Sequence, residues 1–412
     1  MVYIMLVIRA EVLYDGYSVR KNKYIVIDEN KIVDVTDERP DADVAFSGVV
    51  TPAFIDGHSH IGMVRHSEPS AESEVNEQAD IFVPDLDPLD SVYFDDKYFS
   101  EAVEFGVLYS CIMPGSGNLL SGKAVIIRNY ARNRAEAPVR DIGYKMALGF
   151  NPRSTYNLWR GKRFHTRMGV YALLHRMFHR VIRKKKKIMW RIKMYEKKLK
   201  SELRKGRITI EEFERDMAEL REVLEMELTP PDRAVLELLE GKKVAKVHVH
   251  KEDDAIFLVN IVQRYGIRAI AEHLCDVHRR EPFSMLKDNG IPIIYGPLDS
   301  LAYKTELKHE TYKNVKYLIE SGAKFALMSD HPVVLVRNLY LQLRYFLMYG
   351  YDEAKAISII TKNAAEILGI DDILGTVEPE KWASMVVWDG DPLYLRSRPI
   401  AVIGEGKILY EE

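Results

Sequence analysis

Two histidines one residue apart, His58 and His60 in "TPAFIDGHSHIG", end a short apolar run. Alternate side chains of a strand share a face, so the two imidazoles project together. Other apolar runs also end in ligand-capable residues: Lys145 in "GYKMALG", His248 and His250 in "KVAKVHVH", His273 in "IRAIAEHL" and Asp330 in "AKFALMSD". Several imidazoles and one carboxylate are the donor set that a borderline divalent ion such as zinc prefers, and a catalytic site keeps one coordination position open. A lone strand histidine is ordinarily a packed core residue. A set of them at successive strand ends is costly to bury without a cation.

The elements that must position these residues follow from the order of the runs. Apolar strand candidates alternate with amphipathic helices over about 320 residues, which predicts parallel strands with crossover helices and favours a closed (β/α)8 TIM-type barrel over an open sheet. Active sites of that architecture form at the C-terminal ends of the strands. An open dinucleotide-binding sheet is disfavoured because no G-x-G-x-x-G loop follows the first strand. Short strand-like runs fill residues 1–52 and again 376–412, and the economical use of both is one small β-sandwich domain flanking a barrel at 53–375. From Thr166 to about Glu240 the chain is nearly all helix-forming, with Gly206 and Thr209 marking a turn and Pro230 and Pro231 a break. This reads as a helical-hairpin insertion with a basic first arm and an acidic second arm, either paired with each other by charge or offering a basic surface to an RNA or lipid partner, and placed to cover the active-site mouth or another subunit.

The 412 residues are 47% hydrophobic, enough for a large core. With 59 basic and 61 acidic residues the formal charge is −2, so no bulk attraction to nucleic acid or to an anionic membrane is expected. Two cysteines, Cys111 and Cys275, suit a reducing cytoplasm and exclude a sulfur-rich metal site. No apolar run reaches the roughly 18 residues of a membrane span, and Arg9 interrupts the N-terminal one. A serine nucleophile elbow and an H-E-x-x-H helix are both absent from the sequence.

Taken in order, "TPAFIDGHSHIG", "PGSGNLLSG", "KMALGFNP", "TRMG", "KVHVHKEDD", "AEHL", "ALMSDHP", "ITKNAAEILGI" and "DDILGTVEPEKWASMVVWDGDPL" resemble the amidohydrolase superfamily, within its imidazolonepropionase-related group. The resemblance spans nearly the whole chain. It implies a metal-bearing barrel, a flanking β-sandwich from both termini, and hydrolysis of C–N bonds in cyclic amides, dipeptides or amidines. It implies metal ligation by His58, His60, His248, His273 and Asp330, one or two ions, and Asp330 as the proton shuttle, with His273 beside the polarised oxygen. By the same resemblance Lys145 corresponds to the lysine that some members carbamylate to bridge two metals. His248 is then the ligand of its pair and His250 lies near the metal or substrate. Glu380 and Ser384 stand where the family usually has Gly and Asp, which puts a turn there in question.

The substrate is expected to be a small molecule. Asn118, in a tight loop, is a candidate hydrogen-bonding contact or simply a turn residue. Arg167 is a candidate for pairing with a substrate carboxylate, or for an ordinary salt bridge. Tyr295 and His331 lie beside strand ends and are candidate pocket residues. Besides an amidohydrolase, a dipeptidase or prolidase-like hydrolase and a non-catalytic barrel scaffold fit the sequence, and a homo-oligomer is compatible with it.

Overall fold

The computed structural model describes residues 5–153, 163–302 and 304–412. Fifteen strands occur in chain order: β1 (Leu6–Tyr14), β2 (Val19–Asp28), β3 (Lys31–Thr36), β4 (Val44–Pro52), β5 (Phe54–Ser59), β6 (Val107–Ile112), β7 (Leu120–Arg128), β8 (Pro138–Ala147), β9 (Val244–Val249), β10 (Arg268–His273), β11 (Ile293–Tyr295), β12 (Phe325–Leu327), β13 (Met385–Trp388), β14 (Pro399–Gly404) and β15 (Lys407–Glu411). The first of the strand-like runs expected within residues 1–52 is observed from Leu6; residues 1–4 lie outside the described residues.

Strands β5 to β12 form one eight-stranded sheet in sequential order. This is the TIM-type barrel, with one departure from strict β/α alternation. β7 follows β6 directly and runs antiparallel to both β6 and β8, whereas the other neighbours are parallel. A run of seven residues between β6 and β7 has no room for a crossover helix, so a hairpin is the only connection available. The seam between β12 and β5 is closed by the Asp330 amide, which donates to the His58 carbonyl at 3.0 Å. Gly57 permits that closeness, since a Cβ there would lie 2.8 Å from the Leu327 carbonyl oxygen. The barrel strands are buried on both faces, as in β5, β6 and β11 throughout.

The two ends of the chain join in one continuous seven-stranded sheet, β15-β14-β13-β4-β1-β2-β3, and this is the form the expected sandwich takes. Alternation divides its side chains. Met385 and Val387 enter a small core with Ile8, Leu13 and Val50, while Val386 and Trp388 join the barrel core. Glu380 holds a left-handed backbone at φ 72°, and its amide donates to Ile32 at 2.8 Å, so the turn is kept without its glycine at the usual steric cost. Glu380→Gly is expected to raise stability by up to about 1 kcal/mol, read as a shift in the denaturant midpoint. Ser384 is buried and shares a 2.8 Å hydrogen bond with the Tyr109 hydroxyl.

The first helix, α1 (Lys97–Glu104), precedes β6; three more, α2 (Arg167–Arg204), α3 (Ile210–Met226) and α4 (Pro230–Leu239), form the insertion. Thr166 caps α2, and Thr209 and Thr229 build capping boxes with Glu212 and Asp232 at α3 and α4. Charge pairing is less a zipper between α2 and α3 than expected. Arg191 reaches Glu227 just past α3, while Lys184 and Lys185 reach Asp232 and Glu240 at 2.6 Å, tying α2 to the ends of α4. No described helix is long and apolar enough to cross a membrane.

Candidate metal centre

β5 carries His58 on its inner face and delivers His60 just past its end; β9, β10 and the turn after β12 deliver His248, His273 and Asp330 to the same mouth. The Nε2 atoms of His58 and His60 are 3.4 Å apart and lie 3.4 and 3.3 Å from Asp330 Oδ1. A tetrahedral ion with bonds of about 2.0–2.1 Å has ligand-to-ligand edges of about 3.3–3.4 Å. The three donors therefore stand at the spacing that such an ion requires. A second group adjoins it: the His273 ring centroid is 5.1 Å from that of His58, 4.3 Å from that of His248 and 4.8 Å from that of His250. One donor atom each from His248, His250 and His273 lies within 4.8 Å of the others, and so does one each from His58, His273 and Asp330.

The rest of each ring is fixed so that a lone pair faces inward. His60 Nδ1 donates to the Met113 carbonyl at 2.8 Å, His273 Nδ1 to the Gly296 carbonyl at 3.0 Å, and His58 Nδ1 to the Glu272 carboxylate at 3.1 Å. Each acceptor can only accept, so each Nδ1 carries a proton, which makes Nε2 the ligating atom of a neutral ring. His248 Nδ1 is 2.8 Å from the Ser116 hydroxyl. His273 Nε2 and His250 Nδ1 are buried without a hydrogen-bond partner, a costly state that a cation relieves.

Burial pushes His58 down to about 3 and His273 down to about 4, so both are neutral imidazoles at pH 7. Burial alone would raise Asp330, but the surrounding imidazoles of His273, His60 and His58 hold it well below the usual carboxylate range. Unfolded histidine titrates near pH 6.5, so below that pH the unfolded chain takes up protons that the folded one refuses. The metal-free protein is thus expected to lose stability as pH falls from about 6.5 towards 4, measured as a lower denaturant midpoint at pH 5 than at pH 7.5. An unchanged midpoint would contradict the buried neutral rings.

Lys145, expected among the ligands, stands on the other side of His58. Its amine is 2.5 Å from Glu272 Oε2 and 3.4 Å from His58 Nδ1, the ring atom turned away from Asp330. The reason is register. β8 and β9 place Lys145 directly beside Lys246, two ammonium groups buried side by side, and Glu272 answers both, with Lys246 at 2.8 Å. Sequence reasoning missed Glu272 because strand alternation turns it away from its neighbour His273. His273 has φ 72°, a left-handed residue that breaks the alternation and lets consecutive side chains both face the barrel interior. Lys246, two residues before His248 on one strand face, was readable by the same rule that paired His58 with His60. So was Asp56, two residues before His58, which accepts from the Ser329 amide at 2.9 Å and so braces the turn carrying Asp330.

The expected substrate contacts are placed unevenly. His331 is buried beside the Tyr98 ring, at 4.5 Å, with neither ring nitrogen hydrogen-bonded. Asn118 is consumed structurally: its amide donates to the Glu77 carbonyl at 3.0 Å and its carbonyl accepts from Arg163 at 2.8 Å. Arg167 pairs with Asp253 at 3.3 Å and Asp254 at 3.7 Å beside a cleft of ≈ 290 Å³, so the salt-bridge alternative describes it. Tyr295 packs on Phe283 of the outer helix Arg280–Asp288 and not among the rings around Asp330. Beyond His248, Glu306 lies 3.8 Å from its Nε2 and is itself paired with Lys304 at 2.7 Å, a polar rim that the sequence did not single out.

The profile of the amidohydrolase family matches residues 234–409. The crystal structure of an amidohydrolase from Thermotoga maritima MSB8 superposes with a TM-score of 0.82 at 27% identity, covering 99% of this chain and 100% of that one. These matches support membership of the amidohydrolase superfamily. Among curated superfamily relatives, amidohydrolase tasK of Hapsidospora irregularis is 24% identical over 411 residues, 94% of this chain, which spans only 40% of the length of tasK. The imidazolonepropionase of Picrophilus torridus is 21% identical over 399 residues, 91% of this chain and 88% of that protein.

Proposed function

We propose that this amidohydrolase is a metal-dependent hydrolase of C–N bonds in cyclic amide, N-acyl or amidine substrates. The observation that carries the reading is the mutual spacing of 3.3–3.4 Å among His58 Nε2, His60 Nε2 and Asp330 Oδ1, with both of these rings oriented by a fixed Nδ1 partner. His58, His60 and Asp330 would hold a divalent ion, zinc being the natural choice for this donor set; His248, His250 and His273 offer a place for a second. Once bound, such an ion supplies Lewis acidity to the scissile carbonyl and a nucleophile at neutral pH.

The chain's own residues do the remainder. Asp330, kept ionised by its surroundings, accepts the proton of the attacking water and returns it to the departing nitrogen. His273, anchored through Nδ1 to Gly296, turns its Nε2 lone pair into the mouth, where it would serve as a donor to the ion. Lys145 is assigned a counter-charge role with Glu272, since a bridging carbamate would have to leave that pair. The dipeptidase alternative loses its main support because Arg167 is already paired with Asp253 and Asp254.

The test is a panel of N-acyl amino acids, dipeptides, hydantoins and imidazolones offered to protein stripped with chelator and then reloaded with zinc, manganese or cobalt. Hydrolysis of a non-dipeptide member is expected, lost on stripping and restored on reloading. Turnover that survives complete stripping would overturn the proposal.

A further inference from the structure

We propose a separate divalent-metal site on the rim of the barrel, formed by Asp276, His278 and His309. It lies in the loops that follow β10 and β11, outside the ring of donors described above, and does not depend on the proposed activity. One donor atom from each of the three residues lies within 4.8 Å of the others. Two imidazoles and a carboxylate are the donors a zinc-like ion selects.

The three side chains are held unequally, in a way that suits ligation. Asp276 is buried at 2% exposure, and its Oδ1 accepts the His309 backbone amide at 2.6 Å, which leaves Oδ2 aimed at the His309 ring, 3.4 Å from Nδ1. His278 Nδ1 donates to the Asp276 backbone carbonyl at 2.8 Å, so its proton is on Nδ1 and the Nε2 lone pair is free for a ligand. Donation of one ring N–H to a backbone carbonyl is the arrangement metal-ligating histidines commonly have. The two rings lie 4.1 Å apart with an interplanar angle of 33°, and each side chain is 38% exposed, so an ion from solvent reaches them. Glu252, 3.7 Å from His278 Nδ1, is held by Arg279 at 2.9 Å and is left out of the donor set.

An ion held here would tie two mouth loops together. The Asp276 amide donates to the His250 carbonyl at 3.2 Å, and the Asn314 side chain bridges the Cys275 and His309 carbonyls at 3.2 and 2.9 Å. The rim ion would thus brace the backbone from which His250 projects.

The full-length protein is titrated with Zn²⁺ by calorimetry and with Cu²⁺ by electron paramagnetic resonance, alongside His278→Gln, His309→Gln and the double variant. The wild type is expected to take up one equivalent more Zn²⁺ than the double variant, and its Cu²⁺ signal to show coupling to imidazole nitrogens that the variants lack. His309→Gln keeps the backbone amide that binds Asp276, so it remains informative where the double variant does not fold. Equal stoichiometry and identical Cu²⁺ spectra in wild type and His309→Gln would overturn the site.

Discussion

Asp330→Asn is expected to lower kcat by about 10³-fold or more at saturating metal, because the neutral amide cannot take the proton that the carboxylate relays. The substitution keeps the shape of the side chain. It also keeps the backbone hydrogen bond from residue 330 to the His58 carbonyl, so the barrel seam stays closed. Melting within a few degrees of the wild type would show that the loss is chemical. A companion, Asp56→Asn, removes only the bracing of the turn: Asp56 accepts from Ser329 and from the His58 amide, and touches neither histidine ring. Its kcat is expected to fall far less. A drop below tenfold for Asp330→Asn, on any substrate that the protein hydrolyses, would remove Asp330 from the proton pathway.

Glu272→Gln is expected to destabilise the fold by about 3–5 kcal/mol, the scale for stripping one partner from a buried ion pair. The number is large because two ammonium groups depend on one carboxylate. Lys145 and Lys246 are fully buried in register on adjacent strands, and Glu272 sits 2.5 and 2.8 Å from them. Without its charge they face each other in a medium that screens poorly. The double substitution Glu272→Gln with Lys145→Met removes one of the stranded charges and is expected to recover a substantial part of the loss. A chemical denaturation curve for each variant gives the comparison, and a cost under about 1 kcal/mol for Glu272→Gln would mean that the triad is not ionised. Because Glu272 also orients His58 through Nδ1, the same variant is expected to bind metal about 10–100-fold more weakly.

Much of the site was legible wherever one strand face carried the signal. His58 and His60 were paired by alternation alone, and the positions of His248, His273 and Asp330 at strand ends pointed to one mouth of a barrel. The direction of β7 is not carried by its apolar pattern, which is the same whichever way the strand runs; only the seven-residue connection before it, too short for a crossover helix, signals the hairpin. Glu272 was hidden by the rule that found the histidines: adjacent residues on a strand should face apart, and only the left-handed backbone of His273 makes both face inward. Lys145 was legible as buried but not as a counter-ion, because its partner on β9 becomes a neighbour only once register is known. Arg167 and Asn118 illustrate the reverse. Their side-chain chemistry permits substrate contacts, but Asp253, Asp254, Glu77 and Arg163 are separated from them in sequence and already occupy them.

The most direct measurement is X-ray absorption on protein reloaded with one equivalent of zinc, in a His278→Gln, His309→Gln background so that the rim contributes nothing. The predicted result is a first shell of nitrogen and oxygen only, at about 2.0–2.1 Å, with imidazole scattering that drops when His58 and His60 are replaced by alanine. Failure to retain zinc, or an imidazole signal indifferent to those two replacements, would contradict the placement of the ion between His58, His60 and Asp330.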